Sequence, residues 1–296
     1  MMGIVHTILV LLILIGLNEA VRKSKWIAIA FYVALPIALT PLFIANATAP
    51  GSSVNSWFDW VKLYSVLFAC LWYTGLNYTS LGTKNWAKFV AMAILAINIG
   101  EAVARDMELF FQGDHIGMFA PEQIVGGVKG NGSYQYYHLM NAVAGVLSII
   151  TLSGWNGMRV EGDKARDFLW PDLRLLWIIA YDVWNFAYIY NCVPWHAAFG
   201  FVVLSACTIP SLLIKKGTWL QARAYTLAGW MMYIMAATTF IDAPGHYVAL
   251  PYDPIALYAV SGLSLLLNAW FAVLHFGRTA QLKGRGFGEP VYAKAL

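Results

Sequence analysis

Charged side chains are scarce in this sequence. Asp, Glu, Lys and Arg make up 11% of its 296 residues, whereas apolar residues make up 60%. A soluble domain carries charge on roughly a quarter of its residues, because a solvated surface needs it. The composition therefore excludes an ordinary soluble domain and predicts a protein whose partner is the lipid bilayer. The basic residues are scattered over short segments, so no nucleic-acid partner is expected.

Cysteines and catalytic signatures are also lacking. The three cysteines, Cys70, Cys192 and Cys207, are odd in number and two lie inside apolar runs. A disulfide framework or a cysteine-based zinc site is therefore not expected, and we interpret them as small packing residues. The chain has no phosphate-binding loop, no GxSxG elbow, no HExxH pair, no CxxCH haem motif and no GxGxxG stretch. Sequence motifs therefore identify neither a cofactor nor an enzymatic activity, and both questions stay open.

Long apolar runs dominate what is present. A bilayer-spanning helix needs about 20 mostly apolar residues. Nine segments satisfy this requirement: 3–21, 26–46, 57–77, 84–104, 138–155, 173–191, 196–214, 219–239 and 255–276. The sequence therefore predicts an all-α, polytopic transmembrane bundle of about nine helices, as a single domain over 1–277.

The basic residues indicate an orientation for this bundle. With the N-terminus outside, sixteen of the nineteen Lys and Arg residues, Arg223 among them, fall on the cytoplasmic side. Only Lys62, Arg105 and Lys129 fall outside. Because basic residues concentrate in cytoplasmic loops, this bias predicts an outer N-terminus and a cytoplasmic C-terminus. Residues 278–296 then form a cytoplasmic tail, which we expect to be flexible.

One long outer loop, 105–137, separates the fourth and fifth predicted spans. It is rich in Gly and aromatic residues and carries several acids. Loops of this length often act as lids or binding loops. A cap of short interfacial helices is the alternative.

The sixth predicted span carries the clearest polar stripe. Asp182 lies near its midpoint and Asn185 follows at i+3, while Tyr181, Tyr188 and Asn191 extend the polar surface. An Asp at the centre of a membrane helix costs about 2.5–3.5 kcal/mol. Such a residue is expected to face the bundle interior and to mark a site for a solute or a proton. The alternative is an interhelical hydrogen-bond clamp.

A second polar face occurs near the end of the fourth predicted span. Asn98, Glu101 and Arg105 stand at i, i+3 and i+7. Glu101 and Arg105 have the spacing of an intrahelical ion pair. This face is interpreted either as part of a solute site or as an ion pair that anchors the helix end.

Histidines and acids gather on the predicted outer side. Histidine and carboxylate together are the usual ligands of transition metals. The candidate ligands are Asp106, His138, His196, Asp242 and His246. They lack a metal-binding spacing within one helix, so a site would need several helices. Asp242 and His246 flank a Pro-Gly turn, which local turn geometry also explains.

Several segments together resemble a known family. They are NEAVRKSKW (18–26), YVALPIALTPLF (32–43), SWFDWVKLYS (56–65), AILAINIGEAVARDME (93–108), WIIAYDVWNFAYIYNC (177–192) and KKGTWLQARAYTLA (215–228). They resemble an uncharacterised family of bacterial multi-pass membrane proteins, a domain of unknown function. The resemblance implies a bacterial cytoplasmic membrane, and it implies no catalytic residue. It is weaker over 105–137 and after 240.

Three hypotheses for function follow from the polar groups. The first is a protein that binds and translocates a small polar or cationic solute or protons, with Asp182 as the central group and Glu101 as an outer gate. Pro36 and Pro41 within the second span favour it, because broken helices mark many transporter sites. The second is a membrane-embedded enzyme with an acid/base or metal site near the outer leaflet. The third is a sensor or assembly subunit.

Overall fold

A computed structural model describes residues 1–50, 52–112, 135–251, 253–282 and 287–292. Within these residues the chain forms nine long helices, which confirms the predicted all-α bundle. They are α1 (Met2–Lys23), α2 (Lys25–Ala47), α3 (Trp57–Tyr78), α4 (Asn85–Gln112), α5 (Tyr136–Ile150), α6 (Leu175–Cys192), α7 (Ala197–Leu213), α8 (Trp219–Ile241) and α9 (Pro254–Gln281). Six of them are long and apolar enough to cross a membrane. The chain is therefore a multi-pass membrane protein.

Two helix ends differ from the sequence prediction. Helix α4 continues to Gln112, so the first part of the predicted loop 105–137 is helical. Its charged residues do not end the helix, because Arg105 and Asp106 are buried against partners. The loop residues 113–134 lie outside the described residues. Helix α5 ends at Ile150, and the chain then turns at Gly154, whose φ of +75° suits glycine.

Helix α2 contains a widened turn. Residues Ala30–Ala34 form a π-helical turn directly before Pro36. Proline has no N–H to donate, and its ring crowds the carbonyl one turn earlier. A π turn is one way in which a helix adapts to such a break. The expected kink in the second span is therefore local, and the helix continues past Pro41 to Ala47.

Helix α8 lies at the centre of the bundle. It packs against α1, α2, α3 and α7, while α9 packs against α5 and α6 on the other side. Nearly three quarters of the apolar window of α8 is buried, a larger share than in the other spanning helices. A helix buried all round places any polar side chain inside the protein. This position sets the environment of Arg223.

The end of the bundle at which α1 ends, the predicted inner end, is closed by polar contacts. A short hairpin pairs Arg159–Val160 with Phe168–Leu169. Tail residues 287–292 also lie against this end. The backbone N–H groups of Val291 and Tyr292 donate to the carboxylate of Asp172 at 3.0 and 2.6 Å. The described part of the predicted tail is thus anchored to the bundle.

Helix α5 approaches its neighbours through a glycine. A Cβ at Gly145 would overlap Val103 of α4 and lie 2.8 Å from Nε1 of Trp184 of α6. The indole cannot easily move, because its N–H donates to the Asn141 carbonyl. We expect Gly145→Ala to lower the free energy of unfolding by about 1–3 kcal/mol. Gly100→Ala in α4 is the control, since its Cβ would meet nothing within 4 Å.

Thermal unfolding of both variants in detergent checks this expectation. Alanine favours a helix over glycine by up to about 1 kcal/mol, so Gly100→Ala should raise the midpoint. The two substitutions therefore have opposite expected signs. An unchanged or raised midpoint in Gly145→Ala would show that α4 and α6 do not pack closely on α5.

Candidate functional site

The polar residues of α6 lie on one face of the helix and on its two edges, so they have three different sets of neighbours. Successive residues of a helix are rotated by about 100°. Tyr181, Asn185 and Tyr188 therefore share one face, and all three are buried. Asp182 and Asn191 lie on opposite edges of that face, so they meet different neighbours.

Asp182 faces α7. Its carboxylate accepts a hydrogen bond from Thr208 at 2.7 Å, and Thr208 accepts one from the Trp219 indole at 2.9 Å. On the other edge, Asn191 donates to Ser261 of α9 at 2.9 Å. The other carboxylate oxygen of Asp182, Oδ1, is buried and has no hydrogen-bond partner among the described residues, so the central role predicted for Asp182 stays a prediction. These contacts match the alternative interpretation, in which polar groups connect neighbouring helices.

A cavity of about 110 Å³ lies beside the central face of α6. Helices α3, α4, α6, α7 and α8 enclose it, and apolar side chains form most of its wall. The acidic, basic, histidine and amide side chains of the wall are Asp59, Lys62, Arg105, Asn185, His196 and Arg223. Three of the six are permanent or near-permanent cations. We call this space the central cavity.

Arg223 of α8 is the most informative of these residues. It is 5% exposed. Its Nε donates to the Tyr181 hydroxyl at 3.1 Å and its Nη2 donates to the Asn185 side-chain oxygen at 3.2 Å. Its Nη1 is buried and has no hydrogen-bond partner among the described residues. Among the residues that the structure describes, no carboxylate forms an ion pair with the Arg223 guanidinium.

Lys62 of α3 forms a buried ion pair. Its Nζ lies 2.7 Å from the Glu101 carboxylate and 2.9 Å from the backbone oxygen of Asn98. Ser65 also donates to Glu101, at 3.3 Å. The predicted polar face of Asn98 and Glu101 is therefore real, but its basic partner comes from another helix.

Arg105 pairs with Glu108 in the next turn of α4, so the predicted pair with Glu101 does not form. Arg105 itself is 4% exposed and lines the cavity. The carboxylate of Asp59 is held by the backbone and hydroxyl of Ser56 in a capping box. The acids that pair with Lys62 and Arg105 thus lie behind the wall, while the three cations line it.

The five predicted metal ligands do not form one site. His196, in the cavity wall, lies with its Nε2 2.8 Å from Oδ1 of Asp242. His246 bonds to the Phe240 carbonyl at 2.7 Å, so the predicted pair of Asp242 with His246 is absent. Asp106 and His138 meet elsewhere, between α4 and α5, at 2.7 Å. The five residues therefore fall into separate groups, each fixed by its own helix contacts.

At the predicted inner end, basic side chains form ion pairs with a group of acids. Lys215 forms ion pairs with Glu161 and Asp163, and Asp167 pairs with Arg22 at 2.6 Å. The hydrogen bonds from Lys215 to Glu161 and Asp163 raise the pKa of its ammonium group. Each of these three acids therefore has a basic partner in the described part of the chain.

Two cations of the site were missed from the sequence. Lys62 lies inside a predicted span, where a lysine is costly, and that position was its signal. Arg223 lies inside the eighth predicted span, yet the charge bias assigned it to the cytoplasmic side. The structure shows it buried beside the middle of α6.

Comparisons with known proteins give a family and no activity. No curated protein and no solved structure matches this chain. The model of the Family of unknown function (DUF5692) matches residues 1–295, so the chain belongs to that family.

Proposed function

We propose that this protein binds a small organic anion in the central cavity and carries it across the bilayer. The Nη1 of Arg223, which is buried and has no hydrogen-bond partner among the described residues, is the observation that supports this proposal. A buried donor without a partner costs about 1–3 kcal/mol, and more when it is charged. A carboxylate or sulfonate placed against Nη1 would supply the missing acceptor. It would also complete the bidentate geometry that arginine favours.

The charge of the wall favours an anion over the polar or cationic solute expected from Asp182. Lys62, Arg105 and Arg223 line the cavity, and Asp59 is the acid among the lining residues. A cation entering this space would meet like charges at short range. An anion would meet three donors, of which Arg223 has a free position.

The size and polarity of the cavity favour an organic anion. A single water needs about 10–15 Å³ of such space, so about 110 Å³ accommodates a few carbon atoms and one acidic group. The apolar part of the wall, which includes Phe58, Trp230 and Met231, suits a short hydrocarbon body. Binding sites for small molecules commonly combine an apolar wall with a few placed polar groups.

A second, smaller cavity supports translocation. It holds about 20 Å³ and is lined by Tyr73, Asn98 and Leu220 as well as by Arg223 and Leu227. Arg223 and Leu227 also line the central cavity, so Arg223 stands between the two spaces. Alternating access in membrane carriers moves helices around one central site. Arg223 has the position of such a site in this bundle.

Binding of three isosteric solutes tests the charge preference directly. Propionate, propionamide and propylammonium have similar shapes and carry charges of −1, 0 and +1 at neutral pH. We expect purified protein in detergent to bind propionate most tightly in calorimetric titrations. We expect Arg223→Gln to weaken that binding about 10- to 100-fold, the equivalent of one charge-assisted hydrogen bond.

Arg174→Gln is the matched control, because Arg174 stacks on Tyr292 at the predicted inner end, away from the cavity. Its propionate affinity should equal that of the wild type. Equal affinity for the three solutes, or an Arg223→Gln variant that binds propionate normally, would contradict the proposal. Transport is then measured in proteoliposomes with labelled ethanesulfonate, which stays ionised and does not leak as a neutral acid.

A membrane-embedded enzyme is the second candidate. His196 lines the cavity and is held by Asp242, and a histidine oriented by a carboxylate can act as a general base. Turnover of a bound anionic ester, lost in His196→Gln while propionate binding persists, would favour this candidate over a carrier.

A further inference from the structure

Three chemically reactive side chains meet in the predicted outer half of the bundle, at the edge of the central cavity. They are Asp106 of α4, His138 of α5 and Cys192, the last residue of α6. Asp106 and His138 are fully buried, and Cys192 is 2% exposed. One potential ligand atom from each lies within 4.8 Å of the others. We call these residues the Asp-His-Cys cluster.

The carboxylate of Asp106 orients this cluster. Its Oδ1 lies 2.7 Å from Nδ1 of His138, and its Oδ2 accepts from Asn141 at 2.8 Å. The Sγ of Cys192 lies 3.9 Å from Oδ1. A carboxylate that holds one ring nitrogen of a histidine fixes the orientation of the ring.

The other nitrogen of His138, Nε2, is the unexplained atom. It is buried and has no hydrogen-bond partner among the described residues. Buried polar atoms without partners are rare in proteins, and each one calls for a ligand, a water or an ion. The hydrogen bonds of the cluster therefore leave one of the two ring nitrogens of His138 without a partner in the described part of the chain, whichever nitrogen coordinates an ion.

We propose that the Asp-His-Cys cluster binds one divalent metal ion of the zinc class. Carboxylate, imidazole and thiolate are established zinc ligands, and a thiolate in the set disfavours Mg²⁺ and Ca²⁺. A zinc-class ion binds the ionised forms of a carboxylate and a thiol, which together carry a charge of −2. A divalent ion cancels this charge, which matters in an interior where an isolated charge is costly.

The distances suit a tetrahedral ion after small shifts. Bonds of about 2.0–2.3 Å place neighbouring ligand atoms roughly 3.3–3.6 Å apart. The observed separations of 2.7 Å (Nδ1 to Oδ1) and 3.9 Å (Oδ1 to Sγ) lie on either side of that range. The Nδ1–Oδ1 contact must therefore lengthen by about 0.6 Å before both atoms can bind one ion.

The cluster also adjoins the central cavity. Cys192 and Arg105, the residue before Asp106, both line it. Three protein ligands leave one position of a tetrahedral ion for water or a solute atom. The metal proposal does not depend on anion binding, because its ligands are distinct from Arg223, Lys62 and Asn185.

Metal analysis of the purified full-length protein is the direct test. The protein is purified with an affinity tag that contains no histidine, exposed to Zn²⁺, and passed through a desalting column before elemental analysis. We expect about one zinc per chain in the wild type. Cys192→Ser and His138→Gln should each retain less than a tenth of that amount. Cys207→Ser, which replaces another buried free cysteine, should retain all of it.

Cobalt substitution keeps the proposal testable if a ligand variant fails to fold. Co²⁺ bound to a thiolate gives a charge-transfer band in the near ultraviolet, which we expect in the wild type and in Cys207→Ser. Zinc well below one per chain together with an absent cobalt–thiolate band would overturn the proposal. Equal zinc in wild type and both ligand variants would also overturn it, since the metal would then lie elsewhere.

Discussion

Replacing Lys62 by Met is expected to lower the free energy of unfolding by about 3–5 kcal/mol. Removing one member of a buried ion pair leaves the other charge without a partner in a medium of low dielectric constant. Here the stranded group is Glu101, whose side chain is 9% exposed. Ser65 and Asn98 would remain as its donors, at 3.3 and 3.5 Å, and neutral donors do not replace an ammonium group.

A second variant distinguishes the contribution of the ion pair to stability from the contribution of side-chain packing. In Lys62→Met combined with Glu101→Met, both charges are gone and apolar volume is kept. Such replacements are often neutral or stabilising, so the double variant should recover most of the loss. Unfolding by denaturant in detergent micelles measures the single and the double variant against the wild type.

Lys23→Met is the control for the lysine itself. Lys23 pairs with Glu19 one turn away on α1, and its side chain is 59% exposed. Exposed pairs of this kind contribute about 0.3–0.5 kcal/mol. Similar effects of Lys62→Met and Lys23→Met would show that Lys62 is solvated, and the central cavity would then be open to water at that point.

Hydropathy predicted the helices because the bilayer imposes one requirement on each of them separately. A helix in lipid must be apolar over about 20 residues whatever its neighbours are. That requirement can be read from segments such as 3–21 or 255–276 in isolation. The fourth span was cut short at residue 104 because Arg105 and Asp106 look like loop residues until their partners are known.

The site could be predicted only in part, because its pairs join distant residues. Glu101 and Asn185 were identified as polar groups at helix depth, and both contact the cations of the cavity. Their partners, Lys62 and Arg223, come from α3 and α8, and no periodicity within one helix indicates a partner in another. The neighbour of Asp182 was not predictable for the same reason: Thr208, which donates to Oδ2 of Asp182, comes from α7, while Oδ1 is buried with no hydrogen-bond partner among the described residues.

Asp167→Asn is the other substitution with a large expected effect, about 3–5 kcal/mol. Asp167 is fully buried and accepts from Arg22 at 2.6 Å and from Gln221 at 2.7 Å. An asparagine presents one amide N–H₂ group to one of these donors. The buried Arg22 then keeps only Glu19 as an acidic partner, and donor faces donor.

Because of the position of Asp167, its replacement should also weaken one local region of the structure. It ties α1 to α8, and Gln221 in turn accepts from the Phe168 backbone N–H at 2.9 Å. Loss of this network should free the hairpin around residues 159–169. Trypsin cleavage after Lys164 and Arg166 then rises with the population of the open form. A loss of about 3 kcal/mol corresponds to roughly 100-fold faster cleavage, at 1.4 kcal/mol for each factor of ten.

Glu161→Gln is the matched control in the same hairpin. Its carboxylate pairs with Lys215, and both side chains are about one third exposed. Exposed pairs contribute little, so cleavage should change less than threefold. If Asp167→Asn and Glu161→Gln are cleaved at the same rate, the link between α1, the hairpin and α8 carries no stability. The predicted inner end would then be held by its apolar contacts, with Phe168 and Trp170 buried beneath it.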